Sequence, residues 1–556
     1  MTPVTYLLAG LFMIGFLVLV HELGHFVAAK VLRIGVPVFS IGMGPRIFGW
    51  TSGGTDYRIS ALPVGGYVQL AGADPYGEQD TEQFVDPEED FMRRPVWQRL
   101  IVMAAGPLVN LALPFVLFTF LLVLGRPDWA SRVGTVLPGT PAEQAGLVAG
   151  DLLTEVDGEP VQIWHDVEQA LLARVGTPGD VALVVERDGA TLPLTLPASA
   201  LATDPDGEVD LRSLGAQAFF LSTRVGVEAS ASPAGRAGLR TGDRILAVDG
   251  EDVETWSALL AALDAGPRHA LRVERPPALD APDDAEAEEL ELVLDRSEGA
   301  YVAAHAGAVT PWGFAPVTLF ASGVEDDAPA ARAGVQAGDR FLAVDGKPVL
   351  TFHHFIDLVA RTNQGAEGPR PLDLTVVRDG ALVEMEMTPE VRVVSGEAYS
   401  RPIIGVSSFG GMGVAVDQVR KYYSLPAAVP RAFSESMAVV RGTAAVLGNI
   451  FTGRADPRDN VGGPVAIFVA AGTVAEQGFF QYAAVIGMIS VSLGLINLLP
   501  VPIFDGGQIL FYLVEWVRGR PLSLELRERF QMVGVVAIVI LMLLVTVNDI
   551  QRWVVN

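Results

Sequence analysis

The first thirty residues constrain this chain more than any other stretch. From Val4 to Val20 there is no charged residue, and the apolar character resumes at Phe26. Between them lies His21-Glu22-Leu23-Gly24-His25. A soluble helix carrying such a motif would have one polar face, whereas this one is apolar all round, as a helix in lipid is. Ionisable groups inside such a helix are costly unless they act together. Residues i and i+4 share a helix face, so His21 and His25 can both turn a ring nitrogen to one zinc ion. Glu22 stands beside them, placed to take a proton from water at the metal.

A catalytic zinc needs a third protein ligand and an open position. The candidate lies far along the chain, in Asn497-Leu-Leu-Pro-Val-Pro-Ile-Phe-Asp505-Gly-Gly507, after another apolar stretch. Asp505 is a carboxylate at the edge of a membrane segment, with Pro500 and Pro502 breaking the helix before it and two glycines permitting a tight turn after it. Together, HELGH near the start and NLLPVPIFDGG near the end resemble the site-2 protease family of intramembrane zinc metalloproteases, in its bacterial regulator-of-sigma-E branch. The resemblance covers essentially the whole chain. It implies an endopeptidase in which His21, His25 and Asp505 hold Zn2+ and Glu22 is the general base. It implies that Asn497 bonds the substrate backbone and that Pro500 and Pro502 shape the chain beside the metal. It also implies a re-entrant β-loop around Gly42 and Gly44 that holds unwound substrate by strand addition. Substrates of the family are single-pass membrane proteins already shortened on the outer side, of the anti-sigma-factor type, and remnant signal peptides. The residue after DGG, often His in related proteins, is Gln508 here.

Composition agrees with a membrane protein of several parts. Half of the 556 residues are hydrophobic and the mean hydropathy is +0.37, very apolar segments alternating with ordinary globular ones. The formal net charge of −26, with the surplus acid in the middle of the chain, argues against nucleic acid as a partner. The absence of Cys excludes thiolate ligands and cysteine-protease chemistry, leaving metal work to His and Asp or Glu. The first apolar run lacks a basic stretch before it and a small-residue cleavage site, so a retained membrane helix is expected, not a signal peptide.

The expected architecture is a multi-domain membrane protein: a four-helix transmembrane zinc protease core with a membrane-associated β-hairpin region, plus tandem α/β PDZ-like domains. Residues 1–125 form the first part of the core, two transmembrane helices with the β-loop at 33–70. The second helix opens with Ala105-Gly-Pro-Leu-Val-Asn110. Small residues there allow close helix approach, and Asn110 is expected to face the bundle as glue between helices. Residues 126–400 carry a threefold repeat. Pro141-Ala-Glu-Gln-Ala-Gly146, Pro233-Ala-Gly-Arg-Ala-Gly238 and Pro329-Ala-Ala-Arg-Ala-Gly334 are each followed by Gly-Asp and then Val-Asp-Gly. The repeat resembles the PDZ domain, with modules at 126–210, 211–300 and 301–400. The third lacks the Arg-Val-Gly start of the others and is expected to have the most degenerate groove. The modules either capture peptide termini or filter substrates by size. Residues 401–478 are expected as a membrane-surface helical linker. Residues 479–556 hold two more transmembrane helices, the last over Met532 to Val547.

Arg93, Arg94 and Arg99 flank the second helix, and Arg518, Arg520, Arg527 and Arg529 flank the last, so both places are expected to be cytoplasmic. The modules and both termini then lie on the periplasmic side of a bacterial inner membrane. HELGH and Asp505 come to similar depth. The expected partners are single-pass substrates, the bilayer and peptide termini at the modules. The competing reading is a proteolytically inactive, membrane-anchored PDZ scaffold. A full set of ionisable groups kept in lipid argues against it.

Overall fold

The computed structural model describes residues 3–72, 88–137, 139–203, 209, 211–277, 287–298, 301, 309–360, 369–393, 400–409, 413–452, 463–520 and 522–550. Most of the acidic loop at 72–92, and His305, lie outside them. The described residues form two compact units. One comprises Met1–Arg126, Val393–Ser400 and Tyr422–Asn556; the other is Pro127–Arg392 with Arg401–Lys421.

In the first unit, three helices are long and apolar enough to cross a bilayer: Val4–Val31, Val96–Leu124 and Phe479–Leu498. Leu524–Ile550, the place of the expected fourth crossing, is a 27-residue helix and is not one of the three; Glu525, Arg527, Glu528 and Arg529 occupy its first turns. Glycines set how closely the three approach. A Cβ on Gly24 would stand 2.6 Å from the Ala105 carbonyl oxygen, and one on Gly494 2.9 Å from that of Pro107. These helices meet backbone to backbone, as small residues allow in lipid. Pro107 and Pro114 lie inside the second helix, where neighbouring helices can satisfy freed polar groups. Ser490 Oγ donates to the Asn110 carbonyl at 2.8 Å.

Residues 401–478 do not form one surface linker. Strands Val406–Ser408 and Gln418–Lys421 belong to the second unit. The helix Leu425–Phe451 buries Ala428 and Ala432 against Phe118, Leu121 and Leu122 of the second membrane helix. Its amphipathic pattern suggested an interfacial helix, but the two alanines, one turn apart, make a flat strip that fits a helix. Pro464–Glu476 packs on the first helix, with Ala471 buried against Met13 and Leu17.

Strands Val38–Ser52 and Thr55–Gln69 form a bulged hairpin. It folds back on itself, so that Val38–Ile41 is flanked by Asp56–Ile59 on one side and Gly66–Gln69 on the other. Met43, Ile47, Phe48, Trp50 and Leu62 are exposed on it.

The second unit repeats one design three times. Each module has a four-stranded antiparallel sheet with the same strand order. The two long central strands of these sheets are Leu152–Val156 with Asp180–Arg187, Arg244–Val248 with Arg268–Arg275, and Arg340–Val344 with Leu372–Arg378. One longer helix accompanies each sheet: Trp164–Leu172, Trp256–Leu263 and Phe352–Ala360. The repeated Asp-Gly turns place Asp157, Asp249 and Asp345, and the glycine after each, at positive φ, the type I′ geometry that suits a hairpin. The repeated Gly-Asp supplies a buried carboxylate. Asp151, Asp243 and Asp339 each accept a forked pair of hydrogen bonds from Arg187, Arg275 and Arg378, at 2.7–2.9 Å. The same arginines donate to the carbonyls of Gly146, Gly238 and Gly334. The third copy keeps this lock in full. Its Ala321 takes the place of Val133 and Val225, exchanging backbone hydrogen bonds with the Gly338-Asp339 turn as they do with Gly150-Asp151 and Gly242-Asp243.

Each module closes on a late strand. Ala216–Gln217 returns to Thr135–Val136, Phe314–Pro316 to Val225–Val227, and Val406–Ser408 to Ala321–Val324. These pairings carry each module past the boundary read from the repeat at 210, 300 and 400.

Candidate metal centre

His21 and His25 lie one turn apart in the C-terminal half of the first helix, both buried. Asp505 is the first residue of the helix Asp505–Arg518. The chain reaches it by doubling back after Leu498. A Cβ on Gly506 would stand 2.3 Å from the carbonyl oxygens of both Leu498 and Leu499, and one on Gly507 2.3 Å from that of Val501. Only glycine lets the new helix start so close to the turn that precedes it. That helix is clamped further along. Arg99, on the second membrane helix, makes a forked pair with Glu515 at 2.6 and 3.1 Å, and Arg527 adds a third contact at 3.3 Å. Two of the arginines that mark topology in the sequence are thus buried partners of one carboxylate.

The three side chains converge on one point. His21 Nε2 to Asp505 Oδ2 is 3.1 Å, His25 Nε2 to Asp505 Oδ2 is 3.4 Å, and the two Nε2 atoms are 3.2 Å apart. Tetrahedral zinc with bonds near 2.0–2.1 Å needs ligand atoms roughly 3.3 Å from one another. The triangle fits that ion with one position left over. Among the described residues this is the one group of three His, Asp or Glu side chains arranged to hold a metal. Of the module histidines, His269 is committed elsewhere: Nδ1 donates to Asp249 at 2.6 Å, which holds that carboxyl below its ordinary range.

The second membrane helix braces both histidines. His25 Nδ1 donates to the Val102 carbonyl at 2.7 Å. Asn110 Nδ2 lies 3.2 Å from His21 Nδ1. Asn110 therefore faces the bundle, and what it meets there is a metal-site histidine, a pairing the sequence reading missed. Gly106 sits between the two contacts. A Cβ there would stand 2.3 Å from His25 Nε2. Gly106→Ala is expected to displace His25 and lower zinc content at least tenfold without altering any ligand. Gly15→Ala, where nothing lies within 4 Å of the added carbon, should keep full zinc. Metal analysis of the two purified variants decides the point.

Glu22 lies on the same helix against the hairpin's outer strand. A Cβ on Gly66 would be 3.5 Å from Glu22 Cγ, and the Val68 backbone N–H is directed at its carboxylate. Gly42 and Gly44 sit at positive φ in the bulged part of the hairpin, Gly42 packed on the Leu62 carbonyl and Gly44 exposed. The hairpin strand set against Glu22 is Gly66–Gln69. Asn497 is half-buried in the last turn of its helix, with no hydrogen bond to the three ligand side chains. Pro500 and Pro502 line an apolar cavity of about 530 Å³ with Phe511, Leu526 and Phe530.

The model of peptidase family M50 matches residues 9–541. The chain belongs to peptidase family M50. Its similarity to curated members of that family runs end to end. It is 26% identical to the regulator of sigma-E protease RseP of Salmonella typhimurium over 98% of each chain. It is 26% identical to RseP of Escherichia coli K12 over 97% of each. A solved HtrA-type protease, AlgW with a decapeptide, overlaps 38% of this chain and 75% of its own at 16% identity and a TM-score of 0.12, too low for likeness of fold. This M50 peptidase is a membrane protein with an RseP-like sequence, and both motifs that supply the candidate metal centre fall within the matched span.

Proposed function

We propose that this protein is an intramembrane zinc endopeptidase that cuts single-pass membrane proteins after an earlier cleavage has shortened them on the outer side. It is a zinc metalloprotease of the site-2 type. One observation carries the finer reading: three ligand atoms 3.1–3.4 Å apart, the two histidines on an apolar helix of membrane length and Asp505 at the turn after another, with Glu22 adjacent. A scaffold with a retired site has no use for that triangle.

His21, His25 and Asp505 hold the ion. When bound, zinc supplies Lewis acidity to the scissile carbonyl and to water. Glu22 takes the proton of the attacking water and delivers it to the leaving amine. The substrate segment must be extended before its carbonyl can reach the site. The hairpin provides an edge for this, and an extended segment laid beside Gly66–Gln69 would pass Glu22. Gly42 and Gly44 keep that hairpin bulged. Pro500 and Pro502 fix the approach to Asp505, and Asn497 is left to bond the substrate backbone. Leu524–Ile550 supplies the fourth crossing, its apolar run beginning at Met532.

The modules, PDZ-like in repeat pattern, lie on the periplasmic side by the charge rule and act as a filter. A substrate with a folded outer domain is held off; one trimmed to a short tail is admitted. The substrate class fitting this is the anti-sigma-factor type, with remnant signal peptides a second. The test compares one transmembrane segment with and without a folded outer domain, in full-length and module-deleted protein. Full-length enzyme should cut only the trimmed form, and the deletion should cut both. Loss of all activity on the trimmed form in a well-folded deletion would mean that the modules deliver substrate.

A further inference from the structure

We infer that Asn110 is a positioning residue for the metal: its side-chain oxygen accepts the Nδ1 proton of His21 and so fixes Nε2 as the ligand atom. This rests on the ligand assignment above and adds a residue to it. The two histidines need the same service. A neutral imidazole that binds metal through Nε2 carries its proton on Nδ1, and that proton needs an acceptor to hold the ring and its tautomer. For His25 the acceptor is the Val102 carbonyl, 2.7 Å away. At His21 the atom 3.2 Å from Nδ1 belongs to the Asn110 amide. The amide offers a donor on one side and an acceptor on the other, and a half-turn exchanges them. His21 Nε2 lies 3.1 Å from Asp505 Oδ2 and 3.2 Å from His25 Nε2, so Nε2 is the atom facing the metal position. Nδ1 then bears the proton, and the amide must present Oδ1.

The backbone that carries the amide is held in place independently of the ion, and the amide's Oδ1 is buried with no other partner among the described residues. Asn110 is wholly buried. Its backbone carbonyl accepts from Ser490 Oγ at 2.8 Å, and Ser490 is itself wholly buried on the helix Phe479–Leu498. That helix lies close at this level, where a Cβ on Gly494 would touch the Pro107 carbonyl and the Leu111 side chain. Val102, Gly106 and Asn110 follow at intervals of four, one face of one helix, and serve His25, His25 and His21 in turn. If Asn110 were only glue between helices, its donor would matter as much as its acceptor.

The experiment is zinc affinity of the purified full-length protein, measured by competition with a chromogenic chelator, beside the unfolding midpoint of the metal-free forms. Asn110→Leu keeps the bulk and removes the acceptor; it is expected to weaken zinc binding 10- to 100-fold with little change in the metal-free midpoint. Asn110→Asp keeps only acceptors and is expected to bind zinc as tightly as wild type or tighter. A leucine variant within threefold of wild type overturns the inference, as does an aspartate variant as weak as the leucine one. Should the leucine variant fail to fold, the aspartate variant decides alone: wild-type affinity supports the role, and a tenfold loss removes it. A wild type that binds no zinc overturns the ligand assignment and this inference together.

Discussion

Glu22→Gln is expected to keep the fold and the zinc and to lose cleavage by a factor of about 10²–10⁴, the range a positioned general base contributes. Glutamine has nearly the shape of glutamate and can still meet the Val68 backbone, but it cannot take a proton at neutral pH. Glu22 is also not one of the three atoms of the ligand triangle. Metal content and activity should therefore separate in this variant. Rates on a trimmed single-pass substrate, beside zinc analysis of the same preparation, give both numbers. Wild-type cleavage by Glu22→Gln would assign the carboxylate another task.

The second large effect is expected at the ligands. His21→Ala, His25→Ala and Asp505→Ala should each reduce bound zinc from about one per chain to a small fraction, because a catalytic site with two protein ligands no longer fixes the ion. The loss should be greater than in Gly106→Ala or Asn110→Leu, which leave all three ligands present. Asp505→Ala is the sharpest of the three, since Asp505 comes from the far end of the chain. Its loss tests whether Phe479–Leu498 and the turn after it really deliver the third ligand. Full zinc in all three variants would remove the assignment.

The pair His21 and His25 was legible because the rule behind it is local: one helix, one turn, one face. Asp505 was legible only through the pairing of two distant motifs. Their meeting depends on Gly24, Gly106 and Gly494 letting helices touch, which no spacing announces. Asn110 could be placed toward the bundle from its cost in lipid, but its partner could not, because that requires the rotation of two helices against each other. The only hint was its register, one turn beyond Gly106 on the same face. The packing of the helix Leu425–Phe451 on the second long helix was hidden for a related reason. Its polar pattern was read, while the strip that packs, Ala428 and Ala432, carries almost no hydrophobic signal. In the modules, the Gly-Asp and Asp-Gly turns were visible because turn geometry restricts residue type. The closing strands at Ala216–Gln217 and Phe314–Pro316 were not, being only two and three residues long. The second module hides its hairpin differently. Arg275 holds Asp243 as in the other copies, but the stretch from Pro276 to Ala287 stands where they have Asp-Gly.

The most direct measurement is made on purified protein in lipid with a trimmed single-pass substrate, with the cut located by mass spectrometry before chelation, after chelation, and after zinc is restored. Cleavage inside the apolar segment that stops with the chelator, returns with zinc and never occurs in Glu22→Gln is the predicted result. A cut outside the apolar segment, or one that persists undiminished after zinc has been stripped from the protein, would contradict it.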